Sequence, residues 1–289
     1  MRKAEAVIQE SPSWPDQFRG DGLHTRWSRL HQTDRESWPD ARVIGRLAKG
    51  HLDVASSVAA HGGAEEVAEG LQDAWRSFHS GAFARAVLAG GKLGILGASV
   101  ANKAAAIDSL YSKRGAPQLL AELESAIARG EHAAASLPDH ANAHYTLALV
   151  IGRYSQRISI FKALAAGLAG RVREHLERTL SLEPRHAEAH LAFGLYHAEI
   201  VAKLGSLAAG LTYGATTGAA IGHFRQALTL APSSPIVRME YAHGLLLLDP
   251  ARHLQEAQEL YAQAAACAPA DEMERLDVAR ARRGLQPAA

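Results

Sequence analysis

The chain has 289 residues, and its 31 Lys and Arg residues nearly balance its 30 Asp and Glu residues. A near-neutral chain carries no large basic patch, so the composition gives no indication of binding to DNA, RNA or an anionic membrane. Hydrophobic residues make up 47% of the chain, which is typical of a folded protein and argues against disorder.

The N-terminal residues lack the apolar run that a secretory signal needs. The most apolar stretches, 86–101, 163–170 and 204–213, are shorter than the roughly 20 residues of a membrane span. We therefore expect a cytoplasmic protein without a membrane span.

Residues 1–40 contain three of the four tryptophans and show little helical periodicity. We interpret them as an irregular N-terminal arm, followed by one helical domain over 41–289. Trp14, Trp27 and Trp38 either dock on that domain or anchor a partner, because tryptophans dominate many interfaces. Both interpretations stay open at this point.

From residue 41 onward the chain is rich in helix formers, and alanine alone occurs 58 times in the whole sequence. Residues 71–90 fit a pair of helices with a turn at Gly81. Residues 101–112 and 118–137 fit a second pair, joined by the helix breakers of KRGAP.

Four prolines then mark a repeating unit, and each closes a segment of small and apolar residues. They are Pro138, Pro184, Pro232 and Pro269. A bulky residue lies eight positions before each of the last three, namely Leu176, Phe224 and Tyr261. A small residue lies ten positions after each of the first three, namely Ala148, Gly194 and Ala242. This alternation predicts helix pairs in which small residues allow close crossing.

The repeating pattern resembles the tetratricopeptide repeat (TPR) family, whose unit has 34 residues. The residues that carry the resemblance best are Ala187, Ala189, Phe193, Gly194, Ala220, Phe224, Ala227, Leu228 and Pro232. The prolines are 46, 48 and 37 residues apart, so the first two units are longer than the family's unit. The excess falls in Gly/Ala-rich stretches at 162–170 and 203–215, which predict inserted hairpins.

The tail 271–285 has one apolar stripe with charges opposite, as in the solvating helix that ends a repeat array. We therefore predict an all-α fold, an α-α superhelix (TPR-like solenoid) of about five helix pairs with long inserted hairpins and a C-terminal capping helix. Residues 71–285 also look like an uncharacterised bacterial branch of repeat proteins. More distantly, they resemble the regulator-of-microtubule-dynamics family and the periplasmic repeat component of TRAP-type transporters.

The histidines form two HxxxH pairs that could lie on one helical face and hold a divalent metal. The candidate ligands are His140, His144, His186, His190 and His197. Repetition of the structural unit is the better explanation of the repeated histidines and requires no metal, so we expect no metal and no cofactor. The motifs for serine hydrolases, phosphate loops and HExxH proteases are absent, and lone Cys267 follows an apolar alanine run. An enzyme is not expected.

Polar residues on the first helices and near the inserts are the candidates for binding a partner or ligand. They are Asn102, Lys103, Asn142, Arg153, Tyr154, Gln156, Lys162, Glu199, Lys203, Tyr213 and Arg238. Arg and Tyr suit recognition of a peptide or small anion at low entropic cost. An internal network of salt bridges and hydrogen bonds is the structural alternative for the same residues.

These observations favour a non-catalytic, TPR-like scaffold that binds a protein or peptide on its concave face. The alternatives are a small-ligand-binding or transport-accessory protein, with a pocket walled by the Gly/Ala-rich inserts, and a homo-oligomer that uses the apolar insert surface.

Overall fold

The computed structural model describes residues 14–285, and no strand occurs within that range. No helix of this part of the chain is both long and apolar enough to cross a membrane. The seventeen helices of residues 14–285 are α1 (Trp14–Gln17), α2 (Gly22–Leu30), α3 (Ala41–Gly50), α4 (Leu52–Ala60), α5 (Ala64–His79), α6 (Phe83–Lys92), α7 (Ala98–Tyr111), α8 (Ala116–Ser136), α9 (Ala141–Ser155), α10 (Ile160–Ala165), α11 (Leu168–Leu182), α12 (Ala187–Leu204), α13 (Ser206–Tyr213), α14 (Thr217–Leu230), α15 (Pro235–Leu248), α16 (Pro250–Ala265) and α17 (Glu272–Gly284).

Five antiparallel helix pairs form the body of the described structure, and each pair packs on the next. The pairs are α5/α6, α7/α8, α9/α11, α12/α14 and α15/α16, and α17 closes the array. Helices α10 and α13 are the inserted elements between the two members of a pair. The predicted all-helical, TPR-like fold class is confirmed, and α17 lies where the capping helix was predicted. Each predicted inserted hairpin is instead a single short helix.

The regular spacing of small and bulky residues in the sequence has a direct structural cause at the fourth and fifth pairs. The Phe224 ring on α14 lies between Gly194 of α12 and Gly244 of α15. A Cβ atom added at Gly194 would be 2.6 Å from the ring, and one added at Gly244 would be 2.2 Å from it. The ring is fully buried, so only glycine leaves room for it at both crossings.

The described part of the predicted arm, residues 14–40, is not irregular throughout. Helix α2 spans nine residues, and chain without helix or strand follows it over residues 35–40. Helix α2 was not predicted from the hydrophobic pattern, because its three buried residues are separated by two arginines and a histidine. Trp14, Trp27 and Trp38 all pack against the helical body in one cluster with α5 and α6. The division into an arm over 1–40 and a domain over 41–289 stays a proposal, and residues 1–13 lie outside the described residues.

The arm lies across the inner helices and links the two ends of the array. Trp14 Nε1 donates a hydrogen bond to Glu272 of α17 (3.1 Å), and Arg29 forms a two-bond ion pair with Glu274 (2.7 and 2.8 Å). Further along, the Glu188 amide in the first turn of α12 donates to the Thr33 carbonyl oxygen (3.0 Å). We call the surface that receives the arm, formed by the first helices α5, α7, α9 and α12 together with the capping helix α17, the inner groove.

Candidate functional site

Lys103 and Asn142, two of the predicted partner-binding residues, are buried in the inner groove, whereas Asn102 is buried against α8 and accepts a hydrogen bond from Arg129 (2.8 Å). Lys103 Nζ lies 2.5 Å from an Asp34 carboxylate oxygen and 3.0 Å from Glu188 Oε1. Asn142 Nδ2 donates to the Asp34 carbonyl oxygen (3.0 Å) and to Glu36 Oε2 (2.8 Å). Lys103 and Asn142 therefore hold the protein's own arm, through contacts that span 69 to 108 residues of sequence.

Asp34 and Lys103 belong to a continuous buried chain of polar groups. His31 Nδ1 is 2.9 Å from Asp34, the His31 and His79 Nε2 atoms are 3.2 Å apart, and His79 Nδ1 is 2.7 Å from Asp271. All of these side chains are buried. Burial opposes the charged forms, but the neighbouring charges outweigh it, so the pKa of Asp34 is lowered and that of Lys103 is raised. Both groups are charged at neutral pH.

The apolar side chains of the arm belong to the hydrophobic core of the protein. Trp14, Phe18, Leu23, Trp27 and Leu30 are all buried. They pack in one cluster with buried residues of α5 and α6. The arm therefore occupies the inner groove in this structure, which directs the search for a docking surface to other parts of the molecule.

One candidate surface lies between the first helices α9 and α12, which together with α10 and α11 line a cavity of about 340 Å³. The walls are largely apolar and come from α9, α10, α11 and α12. Apolar residues of the walls include Ala148, Leu149, Leu176, Ala192, Leu195 and Leu204. We call this cavity the α9–α12 cleft.

Four predicted partner-binding residues form the polar edge of the α9–α12 cleft. Arg153 donates to Gln156 (3.2 Å), Gln156 donates to Glu199 (2.8 Å), and Lys203 pairs with Glu199 (3.2 Å). The Arg153 Nε atom is buried without a hydrogen-bond partner in the described structure. The polar edge therefore combines two cations and one carboxylate beside the apolar interior of the cleft.

The remaining predicted residues lie apart from one another. Tyr154 donates to Glu124 (2.9 Å) outside the cleft, and Lys162 is exposed on α10. The Tyr213 carbonyl oxygen accepts from Arg173 (3.1 Å), and Arg238 on α15 donates to Gln263 (3.2 Å). Sequence patterns provided no indication of the arm residues Asp34 and Glu36, because neither belongs to a repeat.

The HxxxH motifs do not place two histidines on one helical face. His140 and His186 are N-cap residues in extended backbone conformation, one position before their helices. His144 instead approaches His175 (3.1 Å between Nδ1 atoms), and His190 approaches His223 (2.9 Å). Within residues 14–285, no three His, Cys, Asp or Glu side chains are grouped as metal ligands.

We expect His186 to make the stability of the protein dependent on pH. Its Nδ1 accepts from the Ala189 amide (3.0 Å), its Nε2 faces Asn142 Oδ1 (2.9 Å), and burial lowers its pKa to about 4. Because the folded state favours neutral His186, its contribution is complete above about pH 6.5 and is lost as pH falls toward 4. The charged groups that influence it are Glu188, Asp34, Lys103 and Glu183.

We expect the free energy of unfolding to fall between pH 7 and 4.5 by up to about 3 kcal/mol more in the wild type than in His186→Asn. Asparagine can still cap α12 but does not titrate in this range. Urea unfolding at pH 7.0, 6.0, 5.0 and 4.5 measures the difference. If the free energy of unfolding falls equally with pH in the two proteins, the role assigned to His186 is wrong.

Comparison with known proteins supports the fold. No protein-family model matches the chain, and no curated protein matches it. The solved structure of a thermophilic TPR protein from Thermus thermophilus is similar, with a TM-score of 0.54 and 19% sequence identity. The similarity covers 75% of this chain and 99% of that one. At this identity it shows a TPR-like fold alone, and the resemblance to particular repeat branches stays a prediction.

Proposed function

We propose that this protein is a non-catalytic interaction scaffold that binds a protein segment in the α9–α12 cleft. The proposal includes a cytoplasmic location. Arrays of helix pairs offer extended surfaces of the kind that peptide and protein docking uses. The observation that carries the proposal is an apolar cavity of about 340 Å³ with a hydrogen-bonded polar edge, in a protein whose inner groove holds its own arm.

The composition of the cleft suits a protein segment. Its apolar walls would bury aliphatic side chains, at about 25 cal/mol for each Å² removed from water. The edge residues Arg153, Gln156 and Lys203 carry hydrogen-bond donors that can reach a backbone carbonyl or a carboxylate. An apolar centre with a polar rim is the usual anatomy of a protein interface.

A substitution that fills the cleft tests this proposal. Ala192 lines the cleft from α12, and we expect Ala192→Trp to lower the recovery of specific partners at least about tenfold. Ala202→Trp, at an exposed position on the same helix, is the matched control. The measurement is quantitative mass spectrometry of proteins retained by the immobilised full chain. Partner recovery that is equal for the two variants would overturn the cleft as the docking site.

The polar edge provides a second variant, one that does not fill the cleft. Arg153→Ala combined with Lys203→Ala removes both cations, and we expect it to lower the recovery of the same partners. The free energy of unfolding of each variant is measured alongside, so that a loss of fold is distinguished from a loss of binding.

A further inference from the structure

The insert helix α13 exposes an apolar surface that the fold leaves uncovered. Leu207 and Leu211 are 78% and 82% exposed and lie four residues apart, on one side of the helix. No charged residue occurs from residue 204 to residue 222. Single exposed leucines such as Leu88 are ordinary, whereas an adjacent pair on an uncharged helix forms a contiguous apolar patch that could contact another protein surface.

The α9–α12 cleft matches this leucine pair in size and chemistry. A cavity of about 150 Å³ holds one benzene molecule, so about 340 Å³ accommodates roughly two groups of that size. Two leucine side chains meet that requirement. Because α13 carries no charge, its entry into the apolar cleft would bury no unpaired ion.

The leucine pair and the cleft are also neighbours in the chain. Leu204 lines the cleft, and α13 begins at Ser206, directly after Gly205. Gly205 has a φ of +76°, a turn that glycine adopts without strain. Because Leu207 and Leu211 remain exposed after this turn, they do not fill the cleft of their own copy.

The position of the leucine pair next to the α9–α12 cleft points to one segment that could occupy the cleft. We propose that α13 of a second copy of the chain inserts Leu207 and Leu211 into the α9–α12 cleft, and that the exchange is reciprocal. A two-fold axis beside the C-terminal end of α12 brings each leucine pair to the other copy's cleft and closes the assembly as a dimer. The inference rests on the proposed function, since it names the protein segment that the cleft binds.

A lipid surface fits α13 less well. Helices that lie in a membrane interface carry Lys and Arg on their polar face, and α13 has neither. The exposed leucines are therefore assigned to a protein surface of matching shape.

Native mass spectrometry and light scattering on the full chain, from about 1 to 100 μM, test the proposal. We expect a dimer for the wild type. Leu207→Glu combined with Leu211→Glu removes the leucine pair, and Ala192→Trp fills the cleft. Each variant should weaken dimerisation at least about a hundredfold. Leu88→Glu, at a 69% exposed position on α6, is the control and should remain dimeric.

Mixing the two variants tests the reciprocal geometry. The Ala192→Trp chain keeps its leucine pair and the double-Glu chain keeps its cleft, so the mixture should form a heterodimer through one of the two contacts. A wild-type monomer at 100 μM, a dimer that survives the double-Glu change, or vesicle binding that requires the two leucines in a monomer would each overturn the inference.

These results leave the proposed function intact if Ala192→Trp still lowers partner recovery, whereas equal recovery by Ala192→Trp and Ala202→Trp overturns the proposed function itself.

Discussion

Lys103→Met is expected to lower the free energy of unfolding by about 3–5 kcal/mol at pH 7. The substitution keeps an apolar stem of similar length but removes the charge that lies 2.5 Å from Asp34 and 3.0 Å from Glu188. Both carboxylates would then be buried with one fewer cation near them. The cost arises because an uncompensated buried charge is much less stable than the same charge in water.

The pH dependence of this effect separates lost charge pairing from lost packing. In Lys103→Met, protonation of Asp34 removes an unpaired charge, so the stability deficit should shrink as pH falls from 7 to 5. Urea unfolding of the wild type and the variant at both pH values measures it. Lys113→Met, at an exposed position, should change stability by no more than about 0.5 kcal/mol. A deficit below about 1 kcal/mol at pH 7, or one that is constant with pH, would contradict the role assigned to Lys103.

Phe224→Ala is expected to lower the free energy of unfolding by about 3–5 kcal/mol, because it leaves a cavity between three helices. The ring fills the space above both Gly194 and Gly244. The effect of a second substitution, Gly244→Ala, on the free energy of unfolding depends on whether the Phe224 ring is present. Gly244→Ala should destabilise the wild type by about 1–3 kcal/mol, since its Cβ would lie 2.2 Å from the ring.

In the Phe224→Ala background the same Gly244→Ala change meets no ring. Alanine then gains up to about 1 kcal/mol of helix propensity over glycine, so the substitution should be neutral or stabilising. Thermal or urea unfolding of the four proteins completes this double-mutant cycle. Equal effects of Gly244→Ala in the two backgrounds would show that Phe224 does not occupy the crossing.

The sequence was sufficient to predict the helix pairs, because each pair depends on contacts between residues close in the chain. Phe224 lies 30 residues from Gly194 and 20 from Gly244, and similar separations recur in the neighbouring units. The capping helix and the inserts were predicted for the same reason. Helix α2 was missed, since its burial depends on α5 and α17 rather than on a local periodic pattern.

The site was harder to predict because its contacts are long-range. Lys103 and Asn142 were identified as polar residues on first helices, but their partners Asp34 and Glu36 lie in a segment without repeats. The HxxxH spacing predicted that His140 and His144 share one helical face. The structure places His140 at the N-cap of α9, outside the helix, so the two do not share a face. The α9–α12 cleft forms between helices of two neighbouring units, an arrangement that no local pattern encodes, although four residues of its edge were among the predicted set.

Hydrogen–deuterium exchange of residues 22–38 in the full-length protein tests most directly whether the arm belongs to the folded core. Buried tryptophans and the ion pairs to Lys103 and Glu274 should make this segment exchange as slowly as α7. Exchange of residues 22–38 at the rate of an unfolded peptide, with α5 to α17 still protected, would contradict the account and return the inner groove to the set of available docking surfaces.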